Sequence, residues 1–168
     1  MITLPLACGL ALAGCVQPSG AHEQPTPRAV RAAPPVPHGP NATMEQRIFD
    51  LVNRHRVARG LTPLMLDRRI GEEARRHSAA MARGATPVGH RGYRDRIDVL
   101  RAVLSIQRSA ENVGMNHGYP DPAAEVVHGW IESRGHRVNM EGTFELTGVG
   151  VATNGKDEIF FTQIFVSR

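Results

Sequence analysis

The sequence predicts an α+β domain in which helices pack against a small antiparallel sheet. Three observations support this class. Apolar residues recur at helical spacing in several segments, the helix starts carry capping residues, and the C-terminal segment reads as two strands joined by a turn. With 168 residues, of which 41% are hydrophobic, the chain is long enough to bury a core. We therefore expect one layered domain.

Capping residues and apolar spacing predict the first two helices. Thr43 and Gln46 fit a capping box at the start of the first helix. Asp67 is placed to cap the second helix, which we expect to end at Gly84. His77 lies on the apolar face of that helix, and a buried polar group needs partners. We therefore predict that His77 is a hydrogen-bonded core histidine.

The middle of the chain predicts a further helix, a short strand and the clearest helix start. Residues 97–104 are compatible with a helix, and residues 110–116 with a strand or strand entry. Asp121 as N-cap and Pro122 in the first turn mark the next helix, which we expect Gly135 to end. Trp130 belongs to the predicted buried face of this helix, so we assign it to the core.

The C-terminal segment predicts a β-hairpin with a turn at Asn154-Gly155. Its second strand, around Phe161 and Ile164, is almost entirely apolar and does not alternate. Such a run suits a central strand that is covered on both faces.

The first residues have the composition of an export signal. Residues 1–15 are apolar, rich in small residues and too short to span a bilayer as a helix, and they end in LAGC. This segment resembles a bacterial lipoprotein signal, which implies that Cys15 becomes the first mature residue and carries lipid. No Lys or Arg precedes the apolar run. A plain secretory signal or a different start is therefore the alternative.

The segment that follows predicts a tether. Residues 16–42 are dense in proline and lack apolar periodicity, which is typical of an extended, largely disordered linker. The folded domain is predicted at residues 43–168. Cys8 and Cys15 are the only cysteines, so this domain has no disulfide, no thiol nucleophile and no thiolate metal ligand.

The charge pattern argues against nucleic acid as a partner. The sequence pI is near 9.8, but the net charge is only +4, and the arginines are scattered beside acidic residues along the helices. A modestly cationic surface instead favours an anionic envelope polymer or lipid headgroups.

Three side chains are candidates for chemistry: His90 in a glycine-rich loop, Glu111 among small residues, and His136 after Gly135. If they converge, they could bind zinc with one position left to water, or Glu111 could orient a histidine acting as general base. The alternative is structural, with His136 fixing a turn and Arg137 and Asn139 bonding the loop that follows.

Several enzyme signatures are absent from the sequence. It contains no His-Glu-x-x-His zinc-protease helix, no Gly-x-Ser-x-Gly nucleophile elbow and no Gly-Lys-Ser/Thr phosphate loop. Covalent catalysis would therefore depend on Ser or Thr without a recognisable context.

Seven segments together resemble the CAP superfamily, also called the SCP domain family. They occur in the family's order over residues 44–168: LVNRHRVARGLTPLMLD, EEARRHSAAMA, GHRG, AENVG, GWIESRGHRVNM, GVGVA and FFTQIF. The Ser-x-Gly-His-Arg-x-Asn segment is similar to the bacterial branch. This resemblance implies a three-layer α-β-α sandwich with a small antiparallel sheet between helices and a cleft at its surface.

The resemblance also implies a His/Glu cleft, because eukaryotic members hold two His and two Glu there and can bind zinc or other divalent ions. His90 matches the first His, and Glu111 matches the Glu of the Glu-Asn motif. Ser133 occupies the second Glu position, Glu132 lies one residue early, and Phe160 replaces the second His.

The predicted cleft therefore contains His90, Glu111, His136, Glu132 and Asn112. His90 and His136 are the candidate ligands for zinc or another divalent cation, with His136 taking a place the family's tetrad does not use. The predicted function is a non-catalytic binding module, exported and anchored at the cell envelope, whose partner is an envelope component, a lipid or a secreted ligand. The alternative is a metal-assisted hydrolase acting on peptide or cell-wall material through His90, Glu111 and His136.

Overall fold

A computed structural model of the chain describes residues 40–168, and the predictions for the signal peptide, for lipid on Cys15 and for most of the tether lie outside them. The helices of the described part are Pro40–Ala58 (α1), Arg68–Ala82 (α2), Tyr93–Arg101 (α3), Pro122–Glu132 (α4) and Arg134–Glu141 (α5). Its strands are Met65–Leu66 (β1), Arg108–Asn116 (β2), Leu146–Thr153 (β3) and Ile159–Ser167 (β4). None of the helices from residue 40 onward combines the length and apolarity that a membrane span requires.

The four strands form one sheet in the order β1-β3-β4-β2. The pairs β3–β4 and β4–β2 are antiparallel, as predicted. The two-residue strand β1 pairs parallel to β3 through Met65 opposite Leu146, so the sheet is mixed. This strand falls in a segment that the sequence predicts as a connector, because two paired residues are too few to produce a period. Strand β4 is central and buried along residues 160–167, which confirms its apolar pattern.

Helices cover both faces of the sheet and give the predicted α-β-α sandwich. On one face α1, α4 and α5 pack against alternate residues of the central strands, including Val149, Val151, Phe161 and Phe165. On the other face α2 and α3 pack against the residues between them, including Leu146, Ile164 and Val166. Strand alternation therefore divides the apolar residues between two cores.

Two local predictions are wrong, and each concerns the residue at which a helix begins or ends. Helix α1 begins at Pro40, so Thr43 lies inside it and does not cap it. Gly135 does not end α4, which ends at Glu132; it lies in the separate helix α5. The hairpin turn lies at Asn154 and Gly155 as predicted, within a loop over residues 154–158 that has a positive φ at Asp157. The Asp67 and Asp121 caps are confirmed.

The closest contact between layers joins α2 to β3 at two glycines. A Cβ at Gly148 would overlap backbone atoms of Ile70 and Gly71, and a Cβ at Gly150 would overlap the backbone around Ala74. Ser78, one turn farther along α2, donates its hydroxyl to the Gly150 carbonyl at 2.9 Å. The GVGVA motif is therefore a docking surface for helix α2.

We predict that Gly148→Ala lowers the free energy of unfolding by at least about 3 kcal/mol, because the added methyl must displace helix backbone rather than a movable side chain. Urea unfolding followed by circular dichroism measures this change. Gly155→Ala is the matched control, since nothing lies within 4 Å of its Cβ position, and it should change stability by less than about 0.5 kcal/mol. Equal effects of the two variants would contradict the close contact.

Candidate functional site

The carboxylate of Glu111 is the centre of a buried polar cluster. Glu111 lies on β2, with its side chain only 2% exposed, and Arg96 of α3 is its principal partner. Arg96 donates from Nε to Oε2 at 2.9 Å and from Nη2 to Oε1 at 2.8 Å. His90 Nδ1 lies 3.0 Å from Oε1. Both oxygens of Glu111 are therefore engaged by a bidentate guanidinium.

The loop that carries His90 is fixed by contacts from both sides. His77 Nε2 lies 2.8 Å from the Gly89 carbonyl oxygen, and His77 is buried, so its prediction as a hydrogen-bonded core histidine is confirmed. Gly92 adopts φ +74° at the N-cap of α3, a conformation that glycine reaches without strain. Tyr93 then donates its hydroxyl to Ser109 on β2 at 2.6 Å. These contacts hold His90 beside Glu111 while leaving its ring 53% exposed.

His136 approaches this cluster from the opposite layer. It lies on α5, and its ring centroid is 6.5 Å from that of His90. Asn112 is fully buried and donates its amide to the His136 carbonyl at 3.1 Å. Asn139 donates to both the Glu111 carbonyl and Asn112 Oδ1. The asparagines therefore dock α5 on β2, and Asn112 acts as a structural residue.

The prediction that Arg137 and Asn139 bond the loop that follows is wrong, since they bond α4 and β2, whereas the assignment of Trp130 to the core is confirmed. Arg137 donates to the Ile131 carbonyl at 2.5 Å, which joins α5 to α4. Trp130 is 2% exposed and donates its indole N–H to the Val113 carbonyl at 3.2 Å. His136 itself lies in the helix that these contacts position, not in the predicted turn.

Burial sets the protonation state of His136. Loss of solvation lowers its pKa below the ordinary value, and the nearby His90 lowers it further. Its imidazole is therefore neutral at neutral pH, and one ring nitrogen is free to accept a hydrogen bond. The same effect of burial lowers the pKa of His77. His136 can serve as an acceptor, a weak base or a ligand without first losing a proton.

The described residues do not complete the zinc site that the resemblance implies. No three His, Cys, Asp or Glu side chains between residues 40 and 168 are grouped closely enough to hold a metal ion. Glu111 already bonds Arg96, and Phe160, at the family's second His position, is buried with Met81 and Val113. Glu132 is exposed at the end of α4 and makes no described contact with the cluster. His90 and His136 are the two donors of this set that remain, which is fewer than a zinc site requires.

An open cleft of about 520 Å³ adjoins this cluster. It is lined by residues 113–116 of β2, by Glu125, Gly129 and Trp130 of α4, and by His136 of α5. His136 is therefore the residue that links the polar cluster to the cleft. Apolar and polar groups are mixed along the cleft, which suits ligand binding.

The sequence identifies His90, Glu111 and His136 as a group, but it does not identify Arg96 or the cleft residues. Arg96 is one of many arginines, and nothing in its local pattern links it to Glu111. The sequence offers one physical indication of such a partner: Glu111 is expected among small, buried residues, and a buried carboxylate needs a cation. Glu125, Ser133 and Met115 carry no such signal, because a cleft is defined only after α4 is docked on β2.

The sandwich, its His–Glu cluster and the adjoining cleft define a CAP-type domain. The profile of the cysteine-rich secretory protein family, CAP, matches residues 49–165 of this chain. The chain therefore belongs to the CAP family.

The sequence is also similar to individual bacterial proteins. The Bacillus subtilis (strain 168) protein YkwD, described as uncharacterized, is 29% identical over 128 residues, covering 74% of this chain and 47% of that protein. An extracellular SCP-domain protein from Bacillus anthracis is 28% identical with a TM-score of 0.62, covering 80% of this chain and 45% of the other. The chain thus spans about half the length of these relatives.

More distant structures share the fold alone. An outer surface protein from Borrelia burgdorferi has a TM-score of 0.65 at 16% identity, covering 75% of this chain and 93% of that chain. A cysteine-rich secretory protein from Staphylococcus aureus Mu50 has a TM-score of 0.62 at 20% identity, covering 79% of this chain and 40% of the other. The predicted fold class is therefore confirmed, and the profile match confirms the predicted family.

We predict that Arg96→Ala costs about 3 to 5 kcal/mol of unfolding free energy, because it leaves a buried carboxylate without its cation. Urea unfolding at neutral pH measures the loss. Arg94→Ala, an exposed arginine on the same helix, is the control and should cost less than about 0.5 kcal/mol. The double variant Arg96→Met, Glu111→Leu should recover much of the loss. A cost below about 1 kcal/mol for Arg96→Ala would show that the ion pair is not a structural element.

Proposed function

We propose that the chain is an exported, envelope-associated binding module without catalytic activity, and that the cleft between β2, α4 and α5 is its binding site. Its partner is an envelope component, a lipid or a secreted ligand rather than a nucleic acid. The lipid anchor on Cys15 is part of this proposal. The B. anthracis relative, described as extracellular, supports export, as does the signal-like composition of residues 1–15.

One observation carries the non-catalytic assignment. The carboxylate of Glu111 is bound on both oxygens by Arg96, with His90 on one of them. A general base needs a free lone pair aimed at the proton it removes, and a metal ligand needs one aimed at the ion. Glu111 offers its lone pairs to a guanidinium that is itself only 10% exposed. The cluster therefore acts as a buried ion pair that joins α3 to β2.

The cleft, in contrast, keeps its polar groups accessible. Glu125 of α4 forms no ion pair within the described part of the chain, and neutral His136 has an acceptor nitrogen. Trp130 and Val113 add apolar surface to the same cleft. An open cleft with few convergent polar groups supports recognition rather than reaction.

We predict that filling the cleft abolishes binding to the envelope. Gly129 lies on the cleft and has nothing within 4 Å of its Cβ position, so Gly129→Trp adds a ring there without displacing the core. Sedimentation with cell envelopes, prepared from a strain that lacks the protein, should retain at least about tenfold less of this variant. Gly155→Trp in the hairpin loop is the control and should bind like the parent. Equal sedimentation of both variants would locate binding outside the cleft.

A metal-assisted hydrolase is the second candidate, and the approach of two histidine rings to 6.5 Å favours it. One of them, His136, is neutral at neutral pH and can bind a cation without releasing a proton. The candidate lacks a third donor among residues 40–168, which is why it stands second.

The hydrolase candidate predicts zinc affinity that depends on both rings. Calorimetric titration of the full chain at neutral pH should then show micromolar or tighter binding, and His136→Ala should abolish it. His128→Ala removes an exposed histidine of α4 and is the control. Unchanged affinity in His136→Ala would place zinc elsewhere, and no binding in the parent would eliminate the candidate.

A further inference from the structure

Strand β2 forms one edge of the sheet, because β4 is its only strand partner among the described residues. The outward-facing residues of β2 follow from the hydrogen-bond pattern across the sheet. On β3, the odd-numbered residues direct their backbone groups away from β4: the Thr147 carbonyl accepts from the Asp67 N–H beside β1, and the Val151 N–H donates to the Glu45 carboxylate. The backbone N–H and C=O groups of the even-numbered residues of β3 therefore face β4. The antiparallel registers carry this alternation across β4 to β2. The backbone N–H and C=O groups of Ser109, Glu111, Val113 and Met115 therefore face the open edge.

Side chains already cover part of that edge. Asn139 donates to the Glu111 carbonyl at 3.1 Å, and Trp130 donates to the Val113 carbonyl at 3.2 Å. These two contacts independently confirm which residues face outward. Helices α4 and α5 thereby cover the edge, which would otherwise pair with another strand.

The side chains of α4 and α5 no longer cover the outer edge of β2 at Met115. No side chain of the described residues bonds its outward N–H or C=O, and Met115 is 45% exposed where it lines the cleft. The next residue, Asn116, has a buried Oδ1 without a hydrogen-bond partner in the described part of the chain. The N–H and C=O of Met115 are therefore available inside the cleft, with the spacing that pairing with another strand requires.

The charge of the cleft favours a basic ligand. Glu125 is the one Asp, Glu, Lys or Arg among the lining residues, and no salt bridge joins it to a cationic side chain of residues 40–168. The chain as a whole carries a net charge of +4. An acidic group without a cationic partner among the described residues is available to a cation of the ligand.

We propose that the cleft binds an extended peptide segment as an added strand on β2. The peptide pairs with the N–H and C=O of Met115, lies between β2 and α4, and places a Lys or Arg side chain at Glu125. This inference rests on the proposed function, since it names the ligand class of the same cleft. A lipid or a glycan in the cleft would use neither the strand hydrogen bonds nor the charge of Glu125 in this way.

The test uses the full chain and arrays of capped pentapeptides with a central lysine and varied flanking residues. We expect binding by fluorescence polarisation for members of this array. Methylating the central backbone nitrogen should weaken binding at least about tenfold, because it removes a ladder hydrogen bond. Replacing the central lysine by glutamate should weaken binding roughly three- to fivefold.

Matched variants of the protein assign the two contacts. Met115→Pro removes the outward N–H from an edge position that tolerates proline and should abolish binding, whereas Met115→Ala keeps the N–H and should retain it. Glu125→Gln should remove the preference for lysine over glutamate and leave strand pairing intact. If Met115→Pro does not fold, the N-methylated peptides still test the strand pairing in the parent.

Two outcomes would overturn the proposal. One is that no array member binds; the other is that binding is insensitive to N-methylation. The envelope sedimentation separates this failure from failure of the proposed function. If Gly129→Trp lowers envelope binding while Met115→Pro does not, the cleft binds a lipid or glycan, and only the peptide inference is lost. If neither variant lowers it, the cleft is not the binding site.

Discussion

The close contact between α2 and the glycines of β3 is the constraint on which the rest of the domain depends. Gly148 and Gly150 let the helix lie directly on the strand backbone. This contact fixes the position and rotation of α2, and so directs His77 toward the loop that carries His90. That loop leads into α3, which brings Arg96 to Glu111. A motif without a polar side chain therefore determines where the charged cluster forms.

The cluster shows how one added cation changes the chemistry of a His–Glu pair. His90 and Glu111 occupy the positions that the family resemblance assigns to a cleft. Arg96 binds both oxygens of the carboxylate, and its removal would leave a buried charge without compensation. The pair therefore joins α3 to β2 and contributes to specifying the fold. The same residue types can form a catalytic cleft or a structural ion pair, so their presence is no proof of activity.

Much of the fold could be predicted from the sequence, because helices and caps depend on local pattern. The Asp67 and Asp121 caps and the central position of β4 follow from single residues or short runs. Strand β1 and helix α5 could not be predicted in this way. The first is defined by two pairings with distant residues, and the second by bonds from Asn112 and Arg137 that depend on tertiary structure.

The candidate site was predictable to the same limited extent. His90, Glu111 and His136 stand out as polar residues among glycines and small side chains, and the structure brings their side chains near one another. Their proximity depends on a feature absent from any local pattern: β2 is an edge strand. Because no described strand pairs with its outer side, His90 and His136, which come from opposite layers, approach each other around that edge. A central strand would have kept the two histidines apart.

The two faces of the edge strand β2 also separate the residues that stabilise the domain from those that form the cleft. The side chain of Glu111 faces the layer formed by α2 and α3, where its charge is buried. Gly114 faces α4, and a Cβ there would lie 2.6 Å from Val126 and crowd Trp130. The two faces of β2 therefore do different work: one holds an ion pair that closes the core, and the other brings α4 close enough to form a cleft. Trp130 connects them by covering the Val113 carbonyl, next to the point where the cleft begins. In this arrangement the edge beyond Val113 is the part of the strand that borders the cleft.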